Sequence, residues 1–465
     1  MRLPAFLLLL GSFGAPAPAA AQPATVDLVV RNGTVVTVDG ARRVIPGGAV
    51  AVDGGRIVAV GPAAEVEAAY RGRDTLDAGA GLVIPGLINA HGHAPMVLFR
   101  GVADDLRLMD WLTNYIFPAE AKNVTAPFVK SATRLAALEM IRSGTTTFVD
   151  MYYFEDQVAE AAKEAGLRGV LGSTIIEVPG GAPDSKTVAD ALAHAERFLQ
   201  RWKGDPLVTA AVAPHSTYLC SPETLKAARK LADEYGAPLL IHLSEVADEQ
   251  KTIQQRYGKS STEHLRDLGF LRKGVLGAHG VFLSEGDRAI LKAAGAGIAH
   301  CPQSNMKLAS GAAPVAAMLA EGVRLGLGTD GAASNNDLDM FEEMATAAFL
   351  AKHATGDPTA APAHAVLEMA TLGGARALGM EDRLGSLEVG KRADLVVVSL
   401  AAPRAHPLYD PVSHLVYVLK GTDVRDVVVE GRIVMRDRKV LTLDEAAVLR
   451  EAESLKQRVV ESVKR

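Results

Sequence analysis

The feature that most constrains this chain is an alternation. Between residues 82 and 385, short apolar runs are separated by segments of helical character. The runs are Leu82 to Ile88, Thr145 to Val149, Gly169 to Ile176, Leu207 to Ala213, Pro238 to Ile241, Val275 to Ala278, Gly297 to Ala299 and Val323 to Leu327. Amphipathic stretches such as Phe128 to Ser143, Val188 to Trp202, Ser221 to Tyr235 and Asp287 to Ala294 lie between them. Parallel strands need crossover connections, and helices of this length supply them. Ser221-Pro222 offers an N-cap followed by a first-turn proline. Gly236 and Gly295 offer helix C-caps. Eight strand–helix units favour a (β/α)8 TIM barrel of the α/β class over an open doubly wound sheet.

The flanks read differently. Val26 to Val30, Thr34 to Val38 and Ala49 to Val52 are β-branched runs, separated by the turn signals Asn32-Gly33, Asp39-Gly40 and Asp53-Gly54-Gly55. Residues 386 to 442 repeat the pattern in Asp394 to Val398, Val427 to Val429 and Ile433-Val434. One small composite β-sandwich domain built from both chain ends is expected. The predicted division is 1–21 signal peptide, 22–84 first part of the β domain, 85–385 metal-dependent barrel, and 386–465 second part of the β domain with a C-terminal helix.

The signal peptide is read from Met1-Arg2, the apolar run Leu3 to Phe13 and the small, proline-rich stretch ending Ala19-Ala20-Ala21. It predicts cleavage after Ala21 and an exported, periplasmic protein. The run is shorter than the roughly 20 residues a membrane span needs, and no later stretch reaches that length uninterrupted. No membrane association is expected after signal removal.

Composition narrows the chemistry. A hydrophobic content of 48% excludes a disordered chain. A net charge of -5 gives no basic footprint for nucleic acid. The expected partner is a small-molecule substrate, with a homo-oligomer as a compatible assembly. Cys220 and Cys301 are the only cysteines. They cannot form a disulfide scaffold or a thiolate cluster, and buried structural thiols are expected. A metal site must therefore use histidines and carboxylates.

Those residues gather at the ends of the apolar runs, where a barrel places its chemistry. The ends read Asn89-Ala90-His91-Gly92-His93, Pro214-His215-Ser216, His242-Leu243-Ser244-Glu245, His279-Gly280 and Thr329-Asp330-Gly331. His91 and His93 are two apart and share one face of a strand. With His242 and Asp330 they form a three-imidazole, one-carboxylate set that leaves a position for water, as catalytic sites do. Glu245, three residues beyond His242, can take a proton from such a water without binding the metal. His279 supplies a second proton-transfer or oxyanion group. Solvated or structural roles for Glu245 and His279 are the plain alternative.

Taken together, Pro85-Gly86-Leu87-Ile88-Asn89-Ala90-His91-Gly92-His93, His242-Leu243-Ser244-Glu245, His279-Gly280 and Gly328-Thr329-Asp330-Gly331 resemble the amidohydrolase superfamily. The likeness is nearest to its mononuclear, cytosine-deaminase-like branch, which includes 5'-methylthioadenosine/S-adenosylhomocysteine deaminases and triazine chlorohydrolases. Gly385 to Leu395 resembles that family's return into the small β domain.

The resemblance implies that His91, His93, His242 and Asp330 bind the metal and that Glu245, His279 and Asp330 are catalytic. It implies that His215 contacts substrate and that Trp111 and Glu120 serve an adenosine-type substrate, the carboxylate on the ribose. Ser304-Asn305, Lys307-Leu308 and Ala333 to Asn336 are similar to loops that shape the site. No lysine occurs in Leu207 to Ala213, which favours one divalent ion, zinc first and iron second. Members that bind S-adenosylhomocysteine carry arginines after the third strand, and Ser173 to Gly181 has none. The expected activity is hydrolytic deamination at an exocyclic amine of a purine nucleoside-like or other N-heterocyclic substrate. A triazine (chloro) or cyclic-amide hydrolase using the same site is the alternative, followed by a non-catalytic zinc-binding protein.

Overall fold

The computed structural model describes residues 22–463; the segment read as a signal peptide, and the export reading with it, lie outside the described residues. The barrel strands, numbered here β1 to β8, are Leu87–Asn89, Thr145–Tyr152, Arg168–Ile175, Val208–Pro214, Leu239–Leu243, Val275–His279, Gly297–His300 and Arg324–Leu327. They pair in chain order, each parallel to the next. The ring closes just above β8 and β1. Ala90 donates its N–H to the Leu327 carbonyl at 2.7 Å, and Asp330 donates to the His91 carbonyl at 3.0 Å. A side chain at Gly328 would stand 2.7 Å from the His91 nitrogen, so only glycine permits this seam.

β2 and β3 are buried at every position, as strands covered on both faces should be. Ile88, Val149, Val170, Leu240, Leu276 and Met380 belong to one buried cluster that fills the lower barrel. The expected helix signals act as written. Ser221 accepts a hydrogen bond from Thr224 at the start of Pro222–Tyr235, and Gly236 and Gly295 end their helices at φ 62° and 66°.

The two chain ends form one nine-stranded sheet separate from the barrel. Its central strand, Ala24–Val36, pairs antiparallel with Val44–Asp53 on one edge. On the other edge it pairs parallel with Tyr70–Asp77 and then with Leu82–Pro85. Leu82–Pro85 in turn pairs antiparallel with Leu395–Val398, which joins the two ends of the chain. Leu28, Val35, Val50, Leu76, Leu395 and Val428 share one buried cluster, so the sheet folds over its own core.

Two local expectations need correction. Asn32-Gly33 does not separate two strands. It is a bulge inside Ala24–Val36, where the register shifts and Asn32 adopts φ 58°. Nor is Leu82 to Ile88 one strand. Leu82–Pro85 belongs to the outer sheet and Leu87–Asn89 to the barrel. The chain crosses between them at Gly86, where a Cβ would lie 2.0 Å from the Thr146 hydroxyl.

Two further features position the site. Arg168, at the start of β3, donates to both Asp394 oxygens at 2.9 and 3.2 Å and also contacts Glu430, tying the barrel floor to the outer sheet. Above the barrel, Leu108–Trp111 is α-helical, Leu112–Ile116 is a wider π turn and Phe117–Asn123 is α-helical again. The C-terminal helix Glu445–Val463 backs this segment. Lys122 Nζ donates to the Ser462 carbonyl at 2.9 Å, and Arg458 donates to the Lys122 carbonyl at 3.0 Å.

Candidate active site

The strand ends bring the polar residues together above the barrel. His91 and His93 follow β1, His242 lies in β5, His279 ends β6 and Asp330 follows β8. The rings of His91 and His93 stand 4.9 Å apart and nearly perpendicular, and those of His91 and His242 are 5.0 Å apart. Ser244, His279 and Asp330 all take positive φ, at 54°, 78° and 63°. Left-handed backbone at non-glycine residues costs on the order of 1 kcal/mol or more each and concentrates at functional sites.

Hydrogen bonds fix which ring nitrogens face inward. His93 donates from Nδ1 to the Met151 carbonyl at 2.7 Å, and His242 from Nδ1 to the His215 carbonyl at 2.8 Å. With their protons on Nδ1, both neutral rings present Nε2 lone pairs. These face each other at 3.3 Å. Asp330 Oδ1 is 3.3 Å from His93 Nε2 and 3.5 Å from His91 Nε2, which is buried and makes no hydrogen bond. Ser304 and Ser334 donate to the other Asp330 oxygen at 2.6 and 2.9 Å, leaving Oδ1 turned to the imidazoles. Acceptors converging without a shared proton repel one another, so a cation is what this cluster fits. His91, His93, His242 and Asp330 are the residues that would hold a divalent ion.

Burial sets the protonation states. It drives His91 down to about 4 and His215 to about 3, and holds His242 well below the usual imidazole value, so these rings are neutral ligands or contacts. Burial alone would raise Asp330, but the imidazoles beside it, His91 foremost, outweigh burial and hold its carboxyl well below the usual range. Glu245 is pushed well above the usual carboxylate range by burial, with Asp330 and Glu249 adding to it. Its Oε1 lies 3.7 Å from His279 Nε2. His279 Nδ1 is 3.0 Å from Asn305 Oδ1, which leaves Nε2 as the nitrogen facing Glu245.

One cavity of about 590 Å³, including its open mouth, joins these groups to the segment above the barrel. His93, His242, Glu245, His279 and Asp330 line it, and so do His215, Trp111 and Glu120. Every site residue expected from the sequence thus lies at this cavity or, for His91, in the ligand cluster at its base. His215 packs its ring 4.5 Å from that of His242. Trp111 is buried, and its indole N–H has no partner. Glu120 accepts a hydrogen bond from the Tyr152 hydroxyl at 2.6 Å. Burial outweighs that bond and raises its carboxyl to about 7.

Sequence reasoning missed Tyr152, Tyr218 and Thr174 in the cavity wall, and it missed Glu249. Glu249 receives the backbone N–H groups of Ser244 and Glu245 at 3.0 and 2.9 Å and so holds the loop that carries Glu245. Cys220 and Cys301 are buried free thiols outside the ligand cluster.

Comparison with known proteins follows the same lines. Residues 82–434 match the model of the amidohydrolase family, and residues 48–72 match an imidazolonepropionase-like composite domain of bacteria. The chain is 50% identical over 418 residues to the 5-methylthioadenosine/S-adenosylhomocysteine deaminase of Syntrophobacter fumaroxidans, covering 90% of this chain and 95% of that one. It is 46% identical over 443 residues to the 5'-deoxyadenosine deaminase of Methanosarcina barkeri, covering 94% and 99%. An adenosine deaminase from Xanthomonas campestris, solved with bound zinc, superposes with a TM-score of 0.92 at 40% identity, covering 94% of this chain and 99% of that one. The family model spans residues 82–434, the relatives match over 90% or more of this chain, and the protein belongs to the amidohydrolase family.

Proposed function

We propose that this protein is a metal-dependent hydrolytic deaminase of adenosine-type nucleosides, an enzyme acting on a carbon–nitrogen bond outside peptides and releasing ammonia. The observation that carries this is the single cavity. It has the His91, His93, His242 and Asp330 cluster with Glu245 and His279 at its base, and Trp111 and Glu120 in its wall. The zinc in the Xanthomonas relative and the donor set here support zinc as the ion, with iron second, and one ion per chain because β4 carries no lysine. When bound, such an ion makes water more acidic and polarises the attacked centre.

The protein's own groups supply the rest. Glu245 takes one proton from the attacking water and delivers it to the ring nitrogen beside the amine-bearing carbon, while the water oxygen bonds to that carbon. Asp330 takes the second proton and returns it to the exocyclic amine. The carbon–nitrogen bond then breaks, ammonia leaves and a carbonyl remains. His279, oriented by Asn305, stabilises the oxygen as charge develops on it. His215 and the Trp111 indole N–H contact the base, and Glu120, steadied by Tyr152, accepts the ribose hydroxyls.

Among the described residues no helix is long and apolar enough to cross a membrane. The Met1 to Ala21 sequence supports an exported, periplasmic enzyme acting on small molecules. Incubating the purified protein with adenosine and 5'-deoxyadenosine and identifying products by mass tests the proposal. The expected result is the 6-oxo nucleoside with one equivalent of ammonia. Unchanged nucleosides alongside chloride release from a chlorotriazine would overturn it.

A further inference from the structure

Charge is unevenly distributed in the cavity. Its acids are Glu120, Glu245 and Asp330, and no lysine or arginine lines it among the described residues. The cations nearby in sequence are engaged or face water. Lys307, beside the lining residue Leu308, binds Asp104 at 2.6 Å and the Ala333 carbonyl at 3.2 Å. Lys186 donates to the Ala182 carbonyl at 3.2 Å. Arg107, which precedes the lining residue Leu108, is exposed. The same segment that brings Trp111 and Glu120 to the cavity adds Leu108, Leu112, Ile116 and Phe117 to its wall.

A nucleoside with its amine at the ligand cluster and its ribose hydroxyls on Glu120 would turn its 5' arm toward the segment that carries Glu120, whose Leu108, Leu112, Ile116 and Phe117 line the cavity. The wall offers apolar contact and no counter-charge. A carboxylate on that arm would lose its water without gaining a cation, and Glu120 would oppose it. A neutral thioether or methyl group would gain from burial.

We infer that this enzyme selects adenosine-type nucleosides whose 5' substituent is neutral and apolar, and discriminates against those ending in a carboxylate. The inference rests on the deaminase reading above and sharpens it to a substrate class. The wall residues Leu108, Leu112, Ile116 and Phe117 carry the selection, and the metal cluster plays no part in it.

A matched pair of substrates tests this: 5'-butylthioadenosine and its analogue of the same chain length ending in a carboxylate. The neutral member should show kcat/KM about 100-fold higher or more, the scale expected when one charge is buried unpaired. Phe117→Arg, at a half-buried wall position, should narrow the ratio about tenfold by raising kcat/KM for the carboxylate. Arg107→Ala should leave the ratio unchanged. Equal kcat/KM for the two thioethers in the unaltered enzyme, with adenosine still deaminated, would overturn the inference alone. No ammonia from either thioether or from adenosine would overturn the deaminase reading instead. The ratio in the unaltered enzyme is decisive even where Phe117→Arg fails to fold.

Discussion

Two carboxylates in the cavity stand in different surroundings and do different work. Glu245 is raised by burial and by the acids beside it, so it can both accept and return a proton. Glu245→Gln keeps the shape and removes that capacity. Because Glu245 is not one of the ligands, the variant should keep its full metal content while kcat falls by about 10²–10⁴-fold. Metal analysis beside a turnover assay checks this, and turnover within tenfold of the parent would remove Glu245 from the mechanism. Glu120 has a carboxyl raised to about 7 by burial. Below that pH it is protonated and a poorer acceptor for ribose hydroxyls. KM for ribosides should therefore fall as pH rises through about 7, and Glu120→Gln should flatten the profile; an unchanged profile would contradict the assignment. His91, His93, His242, His279 and Asp330 were legible in the sequence because strand ends converge in a barrel. Tyr152 was not, since Asp150 interrupts the apolar run that ends in it. Glu249 reads in sequence as an ordinary first-turn acid, and only the folded loop shows the N–H groups it receives.

At the scale of elements, the segment Leu108–Asn123 explains how residues nine apart meet one cavity. An unbroken α-helix turns about 100° per residue, which would put Trp111 and Glu120 on opposite faces. The π turn at Leu112–Ile116 takes up one extra residue and leaves them about 80° apart. Deleting the exposed Thr113 should convert the segment to a plain α-helix in which Trp111 and Glu120, now eight residues apart, keep the same separation of about 80°. KM for ribosides should stay near the parent's with metal content unchanged; a rise of about tenfold would show that the π turn does more than absorb one extra residue. Nothing in the residue types at 112–116 announces this turn, whereas the caps at Ser221, Gly236 and Gly295 are local chemistry and were readable. The bulge at Asn32 shows the converse. Its turn-type residues were recognised, but pairing with strands on both edges carried the chain straight through.

For the whole molecule, the alternation of runs and helices predicted the barrel, and the β-branched flanks predicted a sheet shared by both ends. The crossing at Gly86 was hidden because it depends on Thr146, a residue 60 positions later. The barrel and the outer sheet are held in register by Arg168 on Asp394 and Glu430, nearly inaccessible to water. Arg168→Ala would leave the buried Asp394 without its cation, while Glu430 keeps Arg392, and should destabilise the fold by about 3–5 kcal/mol, seen as a lower denaturation midpoint. A midpoint equal to the parent's would show that Arg168 is not what holds the two parts together. The central claim is that one ion, held by His91, His93, His242 and Asp330, makes this cavity a nucleoside deaminase. The most direct measurement is ammonia release from adenosine by protein stripped with a chelator and then titrated with zinc. Activity should vanish on stripping and return in proportion to zinc, saturating at one ion per chain; activity that survives stripping, or full zinc occupancy without ammonia, would contradict it.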